Sequence, residues 1–380
     1  MVTHERVAEN VYSFQSEVYA QVNAGVIAGP SWAVVIDTLP FADETKAIRD
    51  FVEQELNVPV RYVINTHYHA DHTWGNIFFP GAMIISSSLC RQLLDERGRP
   101  SLEQARSQSP NQFRNVDIVL PHLTFDDGEM GLRIGKKTLR LIHLPGHSAD
   151  GIGVLIEEDR VLFSGDVFMP VPYIVDGDIE DMVNSLSHVA SIGLENVIPG
   201  HGDIVLRGEI EGTIKENISY LTAIQRVVRK AARRRYPLDM LEQVKIAACG
   251  KSRVLLGGLA EELHRRNLIA LYRHLFAEMP IGSEEWDYWE DEDEEPFEDE
   301  IFYDTDEEDE KRKVVVKSRA SVAASSKAKE SKKDEENDDE DEDDEDDRDE
   351  WEKEDIDPDD EKILESSELD DDDDETKEIP

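Results

Sequence analysis

Residues 65–76 read NTHYHADHTWGN, and within them His67, His69, Asp71 and His72 fall inside six consecutive positions of a chain that has only 11 histidines. Neutral imidazole and carboxylate are the usual nitrogen and oxygen ligands of zinc. Residues i and i+2 at a strand end point the same way, so His67 and His69 can share one ion. Asp71 and His72, a short turn later, can reach a second ion beside the first. Any one of these histidines alone is better read as part of a satisfied polar loop. It is the spacing of the set that points to metal.

One cluster leaves each ion short of ligands, so further ligands are expected elsewhere. LPGHS offers His147, FSGDVF offers Asp166 and VIPGHGD offers His201. Each follows a short apolar run and stands beside glycine, where α/β folds place their sites. Two ions in such centres lie about 3.5–4 Å apart, which explains why one short loop holds so many ligands. His122, His143 and His188 lack such a context and read as surface or structural residues.

The elements that must position these residues follow from apolar periodicity. VNAGVIAG and WAVVIDT read as paired strands joined by Gly29-Pro30, and DETKAIRDFVEQEL as a helix that Asp43 can cap. VRYVIN, MIISS, KTLRLIHL, GIGVLIEE and RVLFSG are further strand candidates. Their mixture of hairpin and crossover spacing predicts an α/β sandwich of two mixed sheets. Beyond residue 208, Ile210, Ile214, Ile218, Leu221, Ile224 and Val228 recur at helical spacing. LDMLEQVKIAA and LGGLAEELHRRNLIALYRHLF read as two more helices. RVVRKAARRR, 226–235, gives the long helix a basic face.

Composition separates a third region. Residues 284–380 hold 50 acidic and 13 basic residues, net −37, whereas 1–283 hold 36 and 28, net −8. Such a low-complexity stretch cannot bury enough apolar surface to offset its ordering entropy. The expected organisation is a catalytic domain over 1–207, a helical C-terminal extension over 208–283, and a disordered acidic tail over 284–380. The tail is expected to bind a basic partner or the chain's own basic helix. The net acidity argues against a nucleic-acid partner. Two distant cysteines, Cys90 and Cys249, fit a reducing compartment. With no leader-like or 18-residue apolar run, the expected location is cytoplasmic, without a membrane partner.

The combined series H-x-H-x-D-H, G-H, G-D and G-H-G resembles the metallo-β-lactamase fold superfamily over about residues 7–205. The resemblance implies an αββα sandwich with metals along one edge, here with a helical appendage and the acidic tail. By that resemblance His67, His69 and His147 hold a first metal, Asp71, His72 and His201 a second, and Asp166 bridges them. Asp37, closing VVIDT, supports the histidine loop through hydrogen bonds. The implied cofactors are two divalent ions, zinc first, with iron or manganese as alternatives.

The implied chemistry is a metal-bridging hydroxide attacking an ester, thioester, lactone or related bond of a small-molecule substrate, with Asp71 as the catalytic carboxylate. Tyr173 is expected either at the oxyanion or in core or rim packing. Trp74 is expected either on the pocket wall or beneath the loop. Some departures narrow the reading. His69 stands where the di-iron flavoproteins of this fold carry glutamate, and GHGDIV lacks the signature that usually follows the last histidine of glyoxalase II enzymes. Asp166 stands where one β-lactamase subclass has cysteine. Two alternatives remain open: a mononuclear iron enzyme resembling persulfide dioxygenases, and an interaction protein that works through its acidic tail.

Overall fold

The computed structural model describes residues 2–234 and 238–278. The expected tail, 284–380, lies outside the described residues, as do 279–283 of the extension and Arg235 of the basic face. No described helix is long and apolar enough to cross a membrane.

Thirteen strands form two mixed sheets among the described residues. The first runs in sequence order: β1 (Val2–Ala8), β2 (Val11–Ser16), β3 (Asn23–Ala28), β4 (Ala33–Ile36), β5 (Val60–Ile64), β6 (Met83–Ser87) and β7 (Leu123–Phe125). It is antiparallel from β1 to β4 and parallel from β4 to β7. The second comprises β8 (Met130–Ile134), β9 (Lys137–His143), β10 (Ile152–Ile156), β11 (Val161–Phe163), β12 (Asn196–Ile198) and β13 (Val205–Leu206), again ordered by sequence. Only β11 and β12 pair in parallel there.

Period-2 alternation divides the strand residues between layers. Val34, Ile36, Ile64 and Ile85 of the first sheet meet Leu139, Leu141, Val154 and Phe163 of the second between the sheets. Their neighbours Ala33, Val35, Val63 and Ile84 face outward onto helix α1 (Ala42–Asp50), through Ile48, and its π-helical continuation, Phe51–Glu55. Gly25 of β3 leaves room for the crossing Phe163 ring, since a Cβ there would stand 2.4 Å from Phe163 Cε1. Asp43 sits inside the first turn of α1, and the N-cap is Phe41 with no side-chain cap. This corrects the expected Asp43 cap.

Short helices α2 (Ala70–Thr73), α3 (Ser88–Leu93) and α4 (Arg99–Gln108) follow the parallel strands. The outer face of the second sheet is covered by α5 (Ile179–Ile192) and by α6 (Arg207–Arg233), α7 (Leu238–Glu242) and α8 (Ala260–Glu278). Ile142, Leu155, Leu162 and Val197 of that sheet share one continuous core with Met182 and Leu186 of α5, Ile214 and Ile224 of α6 and Leu268 of α8. The layers are therefore helix, sheet, sheet, helix, and the C-terminal helices belong to the last of them.

Two helical expectations shrink. LDMLEQVKIAA is helical only over Leu238–Glu242 and again, as a 3-10 turn, over Ile246–Cys249. LGG does not start α8, because Leu256 and Gly257 take left-handed backbone angles (φ 53° and 64°). Strands β1 and β2, which the apolar runs did not single out, form the free end of the first sheet. β1 is largely exposed and carries little alternation, which is why its pattern is weak.

Candidate metal centre

Every ligand-type side chain of the sequence analysis leaves the carboxyl end of a strand. Asp37 follows β4, the run 65–72 follows β5, His147 follows β9, Asp166 follows β11 and His201 follows β12. β4 and β5 are neighbours in the first sheet and β11 and β12 in the second, where β10 separates β9 from β11, and the side chains beyond these strand ends come together.

Asp37 organises the histidine loop. It leaves β4 with φ 55°, and its Oδ1 accepts the Thr66 amide (2.8 Å) while Oδ2 accepts the Thr66 hydroxyl (2.7 Å). His72 Nδ1 reaches the same Oδ2 at 2.8 Å. The His72 carbonyl takes the Thr38 hydroxyl (3.1 Å) and the Asn65 amide (3.0 Å). All of these groups are buried, so losing a partner leaves another polar group unsatisfied, at a cost of ~1–3 kcal/mol. The loop is held from below by neighbours that bind no ligand themselves.

The hydrogen bonds also set the tautomers. The Thr66 hydroxyl proton goes to Asp37, so His67 Nδ1, 3.1 Å from Thr66 Oγ1, must donate. His72 Nδ1 donates to Asp37, His147 Nδ1 to the Tyr173 carbonyl (2.7 Å) and His201 Nδ1 to the Ala20 carbonyl (2.9 Å). Each neutral ring then presents a bare Nε2. All four converge on one carboxylate: Asp166 Oδ2 lies 3.9 Å from His67 Nε2, 3.3 Å from His147 Nε2 and 3.4 Å from His201 Nε2, and Oδ1 lies 3.2 Å from His72 Nε2. Asp71 Oδ2 stands 3.2 Å from His201 Nε2 and 3.9 Å from His72 Nε2.

This is a set of acceptors facing acceptors. His69 Nδ1 points inward, 3.1 Å from His67 Nε2 and 2.9 Å from His147 Nε2. His72 Nε2 and Asp166 Oδ1 are buried without any hydrogen-bond partner. Protons or metal cations relieve such an arrangement, and the donors suit divalent ions that prefer nitrogen and oxygen. The ligand atoms of His67, His69 and His147, of His67, His72 and Asp166, and of Asp71, His72 and His201 lie within 4.8 Å of one another in each group.

In the chain by itself the electrostatics show the same demand for positive charge. Burial lowers His67 far below the usual imidazole range and His147 to about 4. Burial also works against charge on His72 and His201, but there the carboxylates prevail. Asp166 and Asp37 hold His72 high, and Asp166 with Asp71 raises His201 to about 10. Asp166 and Asp71 themselves resist burial through the surrounding imidazoles and stay well below the ordinary carboxylate range.

Several contributors carry no signal in the sequence. Asp176 faces the outer nitrogen of His69 (Oδ2 to Nε2, 3.6 Å) while accepting the Tyr68 hydroxyl (2.6 Å) and an Arg97 guanidinium N–H (2.8 Å). Burial raises its pKa, but these partners outweigh it and bring it to about 2. Such outer partners fix ring orientation and raise ligand basicity. Asn267 of α8 ties the loop after Asp166 in place: its carbonyl oxygen accepts the Ile174 amide (3.0 Å) and its amide donates to the Pro172 carbonyl (2.7 Å). Asn267 also donates to Tyr220 of α6 (3.2 Å). The helical extension thus steadies the carbonyl that orients His147.

The turn between β2 and β3 does the same for His201. Ala20 and Gln21 are both left-handed (φ 46° and 51°), which costs ~1–2 kcal/mol for each non-glycine residue. Their carbonyls accept His201 Nδ1 (2.9 Å) and the Gly202 amide (2.9 Å). Strain of this kind persists where surrounding structure over-determines it.

Trp74 is 5% exposed and packs edge-on against Phe113 (5.0 Å) within a cluster of Tyr68, Leu94 and Leu102. It lies beneath the loop, the second of its two expected places, and not on the pocket wall. Tyr173 is half-buried, with its ring 5.9 Å from that of His147. His122 Nδ1 accepts the Ile84 amide (3.0 Å), His143 leans on Phe125 and His188 is exposed, none of them at the centre.

Residues 19–201 match the family model described as the metallo-beta-lactamase superfamily. The chain is 28% identical over 234 residues to "Lactamase-like protein aptB" of Emericella nidulans, covering 61% of this chain and 62% of that one. It is 27% identical over 151 residues to the "Beta-lactamase-like protein 2 homolog" of Caenorhabditis elegans, covering 39% and 44%. The chain thus spans less than two thirds of either relative. To the "Acyl-coenzyme A thioesterase MBLAC2" of Bos taurus it is 28% identical over 226 residues, 52% of this chain and 80% of that one. A metallo-beta-lactamase structure from Pontibacter korlensis aligns with TM-score 0.47 and 19% identity, over 57% of this chain and 98% of that one.

Proposed function

Because residues 19–201 belong to the metallo-beta-lactamase superfamily, we propose that the chain is a dinuclear metal-dependent hydrolase of ester-type acyl bonds, thioesters foremost. The observation that carries this reading is the double ligand set. Around Asp166, one group of three histidines and a second group of Asp71, His72 and His201 are both complete. The same residues could also host a single iron that oxidises a persulfide, and metal identity separates the two readings. The intact second group favours two ions, and the similarity to an acyl-coenzyme A thioesterase favours thioesters among the acyl bonds.

His67, His69 and His147 would hold the first ion, Asp71, His72 and His201 the second, with Asp166 between. When bound, such ions lower the pKa of a water to about 7 and polarise a substrate carbonyl. The chain's own residues do the rest. Asp71 is 14% exposed where Asp166 is 4%, so Asp71 is the ligand carboxylate that substrate and water can reach. Ionised as a ligand would be, it orients the nucleophile and relays the nucleophile's proton to the leaving thiol or alcohol. Asp37, Asp176 and the Ala20 and Tyr173 carbonyls keep the imidazoles in the tautomers that leave the inner nitrogens bare.

Elemental mass spectrometry of the full chain, after exhaustive dialysis to clear ions from the acidic tail, tests the metals. Two zinc-like ions per chain, with turnover of an acyl-coenzyme A and aryl ester panel, are expected. One iron per chain with oxygen uptake on a persulfide would replace the reading.

A further inference from the structure

We propose that Asn23 is a positioning residue for the second metal ion: its side-chain amide, locked by Gln15, fixes the loop that presents His201. This role rests on the two-ion reading of the centre and adds a residue of the first sheet that acts on a ligand of the second.

His201 lies in the loop 199–202 beyond β12, in the second sheet. Asn23 opens β3 of the first sheet and is buried. Residues i and i+2 of a strand share a face, and the Gly25 face meets Phe163 of the second sheet, so Asn23 looks across the same way. Its Nδ2 donates to the Pro199 and Gly202 carbonyls, both at 2.8 Å, and its backbone N–H donates to the Gly200 carbonyl at 2.7 Å. Gln15 stands opposite Asn23 on β2. Gln15 Nε2 donates to Asn23 Oδ1 (3.2 Å) and to the Gly202 carbonyl (2.8 Å). A carboxamide offers two donors and one acceptor oxygen. Asn23 has both donors and its oxygen in use, which leaves its side chain one orientation.

The carbonyls on both sides of His201 are therefore held by donors from the other sheet. The amides of the same loop are held as well, Gly200 by the Gly165 carbonyl (2.8 Å) and Gly202 by the Gln21 carbonyl (2.9 Å). With the backbone fixed in this way, the bond from His201 Nδ1 to the Ala20 carbonyl (2.9 Å) is enough to set the ring. The space between the sheets is otherwise filled by apolar side chains. Amides at positions 15 and 23 instead satisfy buried carbonyls that an apolar pair would leave bare. Small displacements matter here, because zinc–imidazole bonds of about 2.0–2.1 Å tolerate only about 0.2 Å. A loop free to drift further weakens the ion that His201 would hold beside Asp71 and His72. His67 and His69 follow β5 and His147 follows β9, so the three histidines of the first ion hang from other loops and are insulated from the Asn23 clamp.

The test is Asn23→Leu, which keeps the branched shape and removes both N–H groups. Zinc affinity of the full chain is read by competition with a chromogenic chelator in two backgrounds. His69→Ala disables the first group and leaves the second ion to be read, and Asp71→Ala does the reverse. Asn23→Leu should weaken zinc about 10–100-fold in the His69→Ala chain, as loss of an outer partner does, and by less than about threefold in the Asp71→Ala chain. Equal weakening in both backgrounds is what general loosening of the sandwich produces, and it would overturn the positioning role. Unchanged affinity in the His69→Ala chain would overturn it too. Should Asn23→Leu fail to fold, Gln15→Met removes one donor to Gly202 and the lock on Asn23, and the same asymmetry, about fivefold, is expected; its absence counts against the role. If the parent chain binds a single zinc, the two-ion reading fails on its own. Asn23 is then judged on that ion, and an affinity in Asn23→Leu within about twofold of the parent overturns a role at His201.

Discussion

A Cβ on Gly200 would stand 1.7 Å from Asp166 Oδ1 and 2.9 Å from its Cγ. Hydrogen is the only substituent that lets the loop before His201 pass over the central carboxylate. Gly200→Ala must therefore push Asp166 away from the four inner nitrogens. Metal stoichiometry should drop below that of the parent and activity should fall about 10²-fold, while the two sheets stay paired, since the clash lies beyond the end of β12. Elemental analysis alongside circular dichroism checks both halves.

Asp176→Asn keeps the shape of the side chain and removes its charge. The His69 ring then loses the carboxylate that faces its outer nitrogen, and Arg97 loses its partner. Loss of an outer partner of this kind typically weakens metal affinity ~10–100-fold. The effect should fall on one ion of the pair, so competition with a chromogenic chelator should resolve a weakened and an unchanged site. Equal weakening at both would argue against the assignment.

How much of this could be read from residue order differs by kind. The candidate ligands stand out in the sequence as a local pattern: four in one short run after a strand, and His147, Asp166 and His201 each beside a glycine after a strand. The sheets were legible from apolar alternation in their interior strands, less so at exposed β1. Asp176, Asn267 and the reason for Gly200 were not, because each acts across distances in the chain that only the folded layers bring together. Trp74 shows the same limit from the other side: its place after His72 fitted the pocket wall and the floor of the loop equally, and the folded chain turns its indole down into the Phe113 cluster.

Proton linkage separates the metal-free from the loaded chain. Without metal, His72 and His201 stay protonated above the ordinary imidazole pKa of about 6.5, His201 up to about 10. The folded state then binds more protons than the unfolded one, so stability falls as pH rises from 6.5 toward 10. His67 and His147 are depressed, the latter to about 4. Their contribution is lost as pH falls below 6.5. Metal-free stability should thus peak near 6.5, whereas bound ions displace the protons of His72 and His201 and remove the alkaline decline. Urea midpoints at pH 6.5, 8 and 9.5, with and without chelator, test the difference.

Asn267→Ala should act on both fold and centre. It strands the Ile174 amide and the Pro172 carbonyl in the interior, at about 1–3 kcal/mol for each unsatisfied group. It also frees the loop whose Tyr173 carbonyl orients His147. A lower unfolding midpoint together with weaker metal retention is expected. A stability loss with metal affinity unchanged would show that the loop holds itself.

The last layer of the sandwich has a consequence for how the protein is made. On the ribosome, every ligand from His67 to His201 emerges before α8, yet the apolar outer face of the second sheet and the 170–176 loop depend on that helix for cover. A nascent chain that has already exposed its ligands still carries a bare, sticky flank. Chaperone dependence should be greatest in that interval, and a stop codon anywhere within α6–α8 should yield aggregation-prone product instead of a trimmed, working enzyme.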